Sequence, residues 1–356
     1  MLKAAKLTAL RAARCVGGYA ALRGSRWRRE RLLILCYHGI SLADEHCWNP
    51  ELYIPGNLFE QRLAAIREQG YNVLPLDDAL DRLYAGELPP QSLCLTFDDG
   101  FHDFAAVAYP LLQKYAIPAT VYLTSFYSMY RRPVFDLMCS YLLWKARNRT
   151  LEMARLRIAE RSVALAQRGV RQDISADIRR FADENGYSAD DRDELLCRLA
   201  SELGVDYQAL VARRILQIMS AIELADLDPR LVQVELHTHR HRVPLDKALF
   251  QREIRQNRDY IRHATRKEVV SAHFCYPSGV TSPVFLPWLR EVGVRSGTTC
   301  RPGLASRADE PLMLPRFLDM CGVSSDEFDG WLSGLASKMP RRRLTHPSPT
   351  ASGILV

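Results

Sequence analysis

The chain has 356 residues, 47% of them hydrophobic and 25% charged, with a formal charge of +7. That length suffices for one large α/β domain or a domain carrying an insertion, and no run of about 18 apolar residues is present, so no membrane-spanning helix is expected. Residues 1–31 hold nine Lys or Arg and one acid, Glu30, a net +8 that leaves the remainder near neutral and argues against a basic nucleic-acid face.

The N-terminal stretch lacks the continuous apolar core of an export signal, because Lys6, Arg11, Arg14 and Arg23 interrupt it. Leu7 and Leu10 share an arc of the helical wheel with basic residues, so residues 1–30 read as a flexible basic leader. Weak contact with an anionic membrane surface is the alternative. The folded region is expected to start at Arg31. Leu32–His38 is a continuous apolar run of strand length closed by Gly39, as in a parallel strand buried on both faces. Asn57 with Glu60 has capping-box spacing, and Phe59, Leu63 and Ile66 continue a helix that Gly70 stops. A strand over Asn72–Leu76, a helix over Asp77–Tyr84, a strand over Leu93–Phe97, a helix over Phe104–Tyr115 and a strand over Ala119–Thr124 follow, the grammar of βαβ units.

From about 131 to 229 the pattern is helical and charged, with no strand signal, and reads as a helical insertion. Strand signals return at Leu231–Leu236, Ala272–Tyr276, Arg295–Cys300 and Leu312–Phe317, with helices at Leu245–His263, Ser282–Val292 and Ser325–Ser337. Residues 339–356 are basic and rich in Pro and Ser, the composition of a disordered tail. Seven or eight parallel strands alternating with helices predict an α/β fold, a regular or distorted (β/α) barrel spanning about 31–338.

Functional side chains of such a barrel gather at the C-terminal ends of the strands. Two segments there carry chemistry. Thr96-Phe97-Asp98-Asp99-Gly100 sets two carboxylates side by side, and His237-Thr238-His239-Arg240-His241 sets three imidazoles in five residues. Adjacent carboxylates face opposite ways along an extended chain, so each can serve a different partner. One Asp and two His make a three-ligand set for a divalent metal with an open position, and the other Asp remains as a base for an attacking water. If the chain turns after Leu236, His237 and His241 come together; if it stays extended, His237 and His239 do. Pro244 and the loss of apolar alternation favour the turn, hence His237 and His241, with Thr238 holding the loop by a side-chain to backbone bond.

T-F-D-D-G, then H-T-x-x-H, F-C-Y-P-S-G and L-P-R, with the opening Leu35-Cys36-Tyr37-His38-Gly39-Ile40, resemble the polysaccharide deacetylase family of carbohydrate esterases over about 31–125 and 231–320. The resemblance implies a distorted (β/α) barrel that removes acetyl groups from N-acetylated, sometimes O-acetylated, sugars. By position it makes Asp98 the general base and Asp99, His237 and His241 the ligands of a divalent metal, usually zinc. Two departures stand out. Cys275 takes the place where many members carry an Arg that pairs with the base, and Arg316 is the candidate substitute. The late His used as general acid has no good counterpart: His346 follows a Pro-rich basic stretch, and His38, at a strand end, is better placed. A backbone N–H of Tyr276–Gly279 is the candidate oxyanion donor.

The expected activity is metal-dependent deacetylation of an N-acetylated glycan or glycan precursor. A barrel that binds carbohydrate without catalysis and an amidohydrolase-type metal hydrolase using His237 and His239 are the alternatives. The nine cysteines are scattered without a C-x-x-C pair, which predicts free thiols and a reducing compartment. The cytoplasm, with the basic end at the inner membrane face, is the expected location.

Overall fold

The computed structural model describes residues 2–266 and 271–339. The expected disordered tail, from 340 onward, and His346 lie outside the described residues. The chain divides into two compact units, one of residues 1–125 and 221–356 and one of 126–220.

Seven strands of the first unit form the barrel: β1 (Arg31–Tyr37), β2 (Ser92–Phe97), β3 (Ala119–Leu123), β4 (Val232–Leu236), β5 (His273–Cys275), β6 (Ser296–Pro302) and β7 (Leu314–Leu318). Each pairs in parallel with the next in sequence, from Leu95↔Ala119 through Ala119↔Val232 to Phe274↔Leu236, and β7 returns to β1 at Leu35↔Phe317, so the ring closes. The eighth expected strand shrinks to Asn72–Val73, which pairs with β2 outside the ring. This segment has too few apolar residues to be buried on both faces, as a ring strand must be.

Alternation along the strands brings Leu32, Ile34, Cys94, Tyr122, Cys275 and Leu314 into one buried cluster. Leu76, Ala79, Leu80 and Leu83 of the helix Leu76–Ala85 complete it. A second packing layer joins Tyr37 and Phe97 to Phe59 of the helix Gly56–Glu68 and to Phe104. That helix begins two residues earlier than its capping-box spacing suggests. Pro55 is the N-cap, and Asn57 sits inside the first turn. Gly70 stops it, as expected, with φ +70°.

The basic leader departs most from expectation. Instead of a flexible segment, Leu2–Cys15, Gly18–Arg23 and Arg26–Arg29 are helices. Leu10 is fully buried, Arg11 and Arg14 pair with Asp326 at 2.8 and 3.2 Å, and the Tyr19 hydroxyl donates to the Asp326 carbonyl. Arg28, also fully buried, donates to the carbonyls of Leu332, Arg31 and Ser92. The positive charge that suggested a free end finds acids and carbonyls elsewhere in the sequence, Asp326 and Leu332 near its far end among them, which wheel analysis of one helix cannot see.

The second unit is helical over Phe135–Lys145, Arg168–Glu184 and Ala189–Glu202, the last opened by a Ser188–Asp191 capping box. It starts near 126 and ends near 220, inside the range 131–229 at its C-terminal side. It also contains a short antiparallel pair, Thr150–Glu152 with Ser162–Ala164, where no strand was expected. No described helix is long and apolar enough to cross a membrane.

Candidate active site and metal centre

Asp98 continues the face of β2 that carries Cys94 and Thr96 into the barrel. Asp99 breaks the alternation. Its φ is +69°, a left-handed conformation that a non-glycine residue adopts at a cost of about 1–3 kcal/mol. The two carboxylates consequently take different partners, as their adjacency implied.

Asp98 meets Arg316 of β7. Nη1 donates to Oδ1 and Nη2 to Oδ2, each at 2.7 Å, with both side chains almost fully buried. Arg316 also donates to the Thr299 carbonyl and to Thr96 Oγ1. Arg316 is therefore a buried partner of Asp98 and not a surface cation. The Cys275 thiol lies 3.3 Å from Asp98 Oδ2 and 3.1 Å from Arg316 Nη2, and Cys36 Sγ is 3.6 Å from the same carboxylate oxygen. Cys275 thus occupies the expected place of an arginine, while the guanidinium arrives from another strand. Burial alone would raise the Asp98 carboxyl; the Arg316 charge and its paired hydrogen bonds hold it well below the usual carboxylate range.

Asp99 meets the histidines. Its Oδ1 is 3.1 Å from His237 Nε2 and 3.2 Å from His241 Nε2, and the two rings are 4.9 Å apart at 64°. Burial pushes this carboxyl upward too, but the two imidazoles, His241 foremost, hold it well below its ordinary value. His237 Nδ1 is 2.9 Å from the Cys275 carbonyl, which can accept only an N–H; that assigns a proton to Nδ1 and makes Nε2 the nitrogen that faces Asp99 and would face a metal. One carboxylate oxygen and two imidazole nitrogens, all within 4.8 Å of one another, are a donor set that fits a divalent cation.

The loop turns as expected. Thr238 and His241 have φ of +63° and +53°, and Thr238 Oγ1 accepts from the Arg242 N–H at 3.0 Å. His239 points elsewhere, its Nδ1 2.9 Å from Ser125 Oγ, so the pairing of His237 with His239 fails, and the amidohydrolase alternative with it. His38 Nε2 is 3.8 Å from Asp98 Oδ2 and its Nδ1 is buried without a hydrogen-bond partner. Burial lowers the affinity of this ring for a proton, and the Asp98 charge only partly restores it.

The expected oxyanion donor within Tyr276–Gly279 is narrowed. The Tyr276 N–H donates to the Thr298 carbonyl, the Gly279 N–H to the Tyr276 carbonyl, and Pro277 has none, so these three positions are not available to substrate. Two residues were missed. Asn257 and Glu253, both fully buried on the helix Lys247–Thr265, bind the histidine loop. The signal was legible: on the apolar stripe Phe250, Ile254, Ile261, an amide at 257 stands where a hydrophobe belongs.

Comparison with known proteins bears on the fold and on the first of these motifs. The polysaccharide deacetylase family model matches residues 85–170, a segment that holds Asp98 and Asp99 but not the histidines. YxkH of Bacillus subtilis (strain 168), whose name assigns it to the polysaccharide deacetylases, is 34% identical over 94 residues, 26% of this chain. The match spans about a third, 32%, of that relative's length. Among solved structures, the deacetylase PplD of Streptococcus pyogenes, in complex with acetate, aligns over 87% of this chain and 99% of its own with a TM-score of 0.56 at 19% identity. IcaB from Ammonifex degensii aligns over 86% and 97% with a TM-score of 0.52 at 17% identity. The resemblance read from the motifs therefore holds in sequence over the first of them, and the fold is that of the solved deacetylases.

Proposed function

We propose that this protein is a metal-dependent hydrolase that removes acetyl groups from an N-acetylated glycan or glycan precursor. The observation that carries the reading is the division of labour between two neighbouring carboxylates: Asp99 faces two imidazoles, and Asp98, next to it in the chain, is held ionised by Arg316. Asp99, His237 and His241 would hold the cation, with zinc the ion best suited to one oxygen and two nitrogen donors. Bound there, it would supply Lewis-acid polarisation of the acetyl carbonyl and acidify the attacking water.

The remaining steps belong to the protein's own side chains. Asp98 accepts the proton of the attacking water. Arg316 does not touch substrate; it positions Asp98 and keeps it charged inside a low-dielectric barrel. Its pairing makes Asp98 a weak base in the resting state, so the proton must move on readily. His38, resting neutral 3.8 Å from Asp98 Oδ2, is placed to receive it and to protonate the leaving amine. Acetate release from N-acetylhexosamine oligomers and lipid-linked N-acetylated sugars, with and without chelator, tests the reading. Release that stops with chelator and returns with zinc supports it. Chelator-insensitive release would remove the metal from the mechanism, and stoichiometric zinc without release from any of these substrates would favour a carbohydrate-binding barrel.

A further inference from the structure

The histidine loop holds two non-glycine residues, Thr238 and His241, in left-handed conformations at φ +63° and +53°. Such conformations persist only where the surroundings over-determine them. Here the surroundings are one turn of one helix. Glu253 accepts from the Arg240 N–H at 2.8 Å, from Arg240 Nη1 at 3.0 Å and from Arg242 Nε at 2.9 Å, while its own carbonyl accepts the His239 N–H. Asn257, four residues on, accepts the His237 N–H at 2.9 Å and donates to the Leu123 carbonyl and to Ser125 Oγ. Ser125 Oγ in turn lies 2.9 Å from His239 Nδ1. Every residue from His237 to Arg242 other than Thr238 and His241 is tied to this helix or to the end of β3, and those two are the strained ones.

We propose that Glu253 and Asn257 are positioning residues that set the site's affinity for a divalent cation by holding the loop in its strained form, so that His237 and His241 meet Asp99 without rearrangement. The inference rests on the reading of Asp99, His237 and His241 as the ligands. Neither residue touches the ligand atoms; both act through the backbone and through Arg240 and Arg242. Residues that orient metal ligands in this way typically change affinity by about 10–100-fold when removed.

The test is cobalt(II) affinity of the full chain, measured by competition with a chelator of known affinity, alongside thermal unfolding of the metal-free protein. Glu253→Ala and Asn257→Leu should weaken cobalt binding by about 10–100-fold. Glu253→Gln, which keeps one acceptor oxygen and loses the other together with the charge, should fall in between. Ile254→Ala, a buried apolar truncation on the same helix, should lower the unfolding midpoint while leaving cobalt affinity unchanged. Wild-type affinity in Glu253→Ala, Glu253→Gln and Asn257→Leu overturns the proposal, as does an equal loss in Ile254→Ala, which would reduce the effect to general loosening. If the first and third variants fail to fold, Glu253→Gln and Arg242→Met decide on the same criterion, since the Arg242 side chain is one-third exposed and tolerates change. A wild-type chain that takes up no cobalt would instead overturn the metal reading itself, a failure distinct from equal affinities among the variants.

Discussion

Replacing Arg316 by Met should reverse the sign of the Asp98 contribution to this protein's acid response. Arg316 and Asp98 are both almost fully buried and share two hydrogen bonds of 2.7 Å. Removing one partner of such a pair leaves an uncompensated buried charge, at a cost of about 3–5 kcal/mol. Asp98→Asn should cost a similar amount by stranding the guanidinium, although Thr96 and the Thr299 carbonyl still hold it. The double variant removes both charges and should cost less than the sum, with a coupling of about 2–3 kcal/mol. In the wild type the folded Asp98 carboxyl lies below its unfolded value of about 3.9. Its stabilisation is therefore complete above that value and lost as the pH falls toward the depressed folded one. In Arg316→Met, burial is left without its counterweight and the folded value moves above the unfolded one. The Asp98 contribution to stability is then greatest in acid and falls as the pH rises through that window. Urea unfolding of the metal-free proteins between pH 3 and 7 measures both effects. Single variants that each cost under about 1 kcal/mol and add within about 0.5 kcal/mol, the range of independent sites, would refute the argument.

Three further outcomes follow from the geometry. His237→Ala should lose metal and turnover together, whereas Asp98→Asn should retain metal at about one per chain and lose at least about 100-fold in kcat, the usual worth of a positioned base; metal analysis beside acetate release checks both, and wild-type rates in Asp98→Asn would reassign the base. Leu10→Ala should cost about 2–4 kcal/mol in urea unfolding, the range for a truncated core leucine, because Leu10 is fully buried; a cost near zero would restore the flexible leader. Gly39→Ala should lower both stability and kcat, since a Cβ there would lie 1.9 Å from the Tyr53 ring, next to His38; unchanged kinetics would argue against His38 as the acid.

How much of this was legible in the sequence depends on how far each signal reaches along the chain. The barrel strands were visible because strands buried on both faces must be continuous apolar runs. The short Asn72–Val73 strand was overcounted because the sequence does not reveal whether a strand closes a ring or flanks it. Asp98, Asp99, His237 and His241 were legible because two or three chemically active residues lie within five positions. Arg316 could be nominated but not placed, since its carboxylate is 218 residues away and its burial depends on ring closure. Asn257 broke an apolar stripe and Glu253 sat four residues before it, a local signal that went unread. The leader could not be read from its own helix, because the acids and carbonyls that receive its cations come from Asp326, Leu332 and Ser92.

Arg28 gives that leader a structural consequence. Its guanidinium is sealed at the foot of the barrel among three backbone oxygens and never sheds its proton at physiological pH, although burial brings its pKa down to about 10. A version of the protein begun at residue 30 would strip those oxygens of their donor and open a hollow beneath the first two strands. Shortened expression clones designed to discard a seemingly dispensable basic end should therefore yield aggregates, while tags fused ahead of Met1 leave the keystone in place.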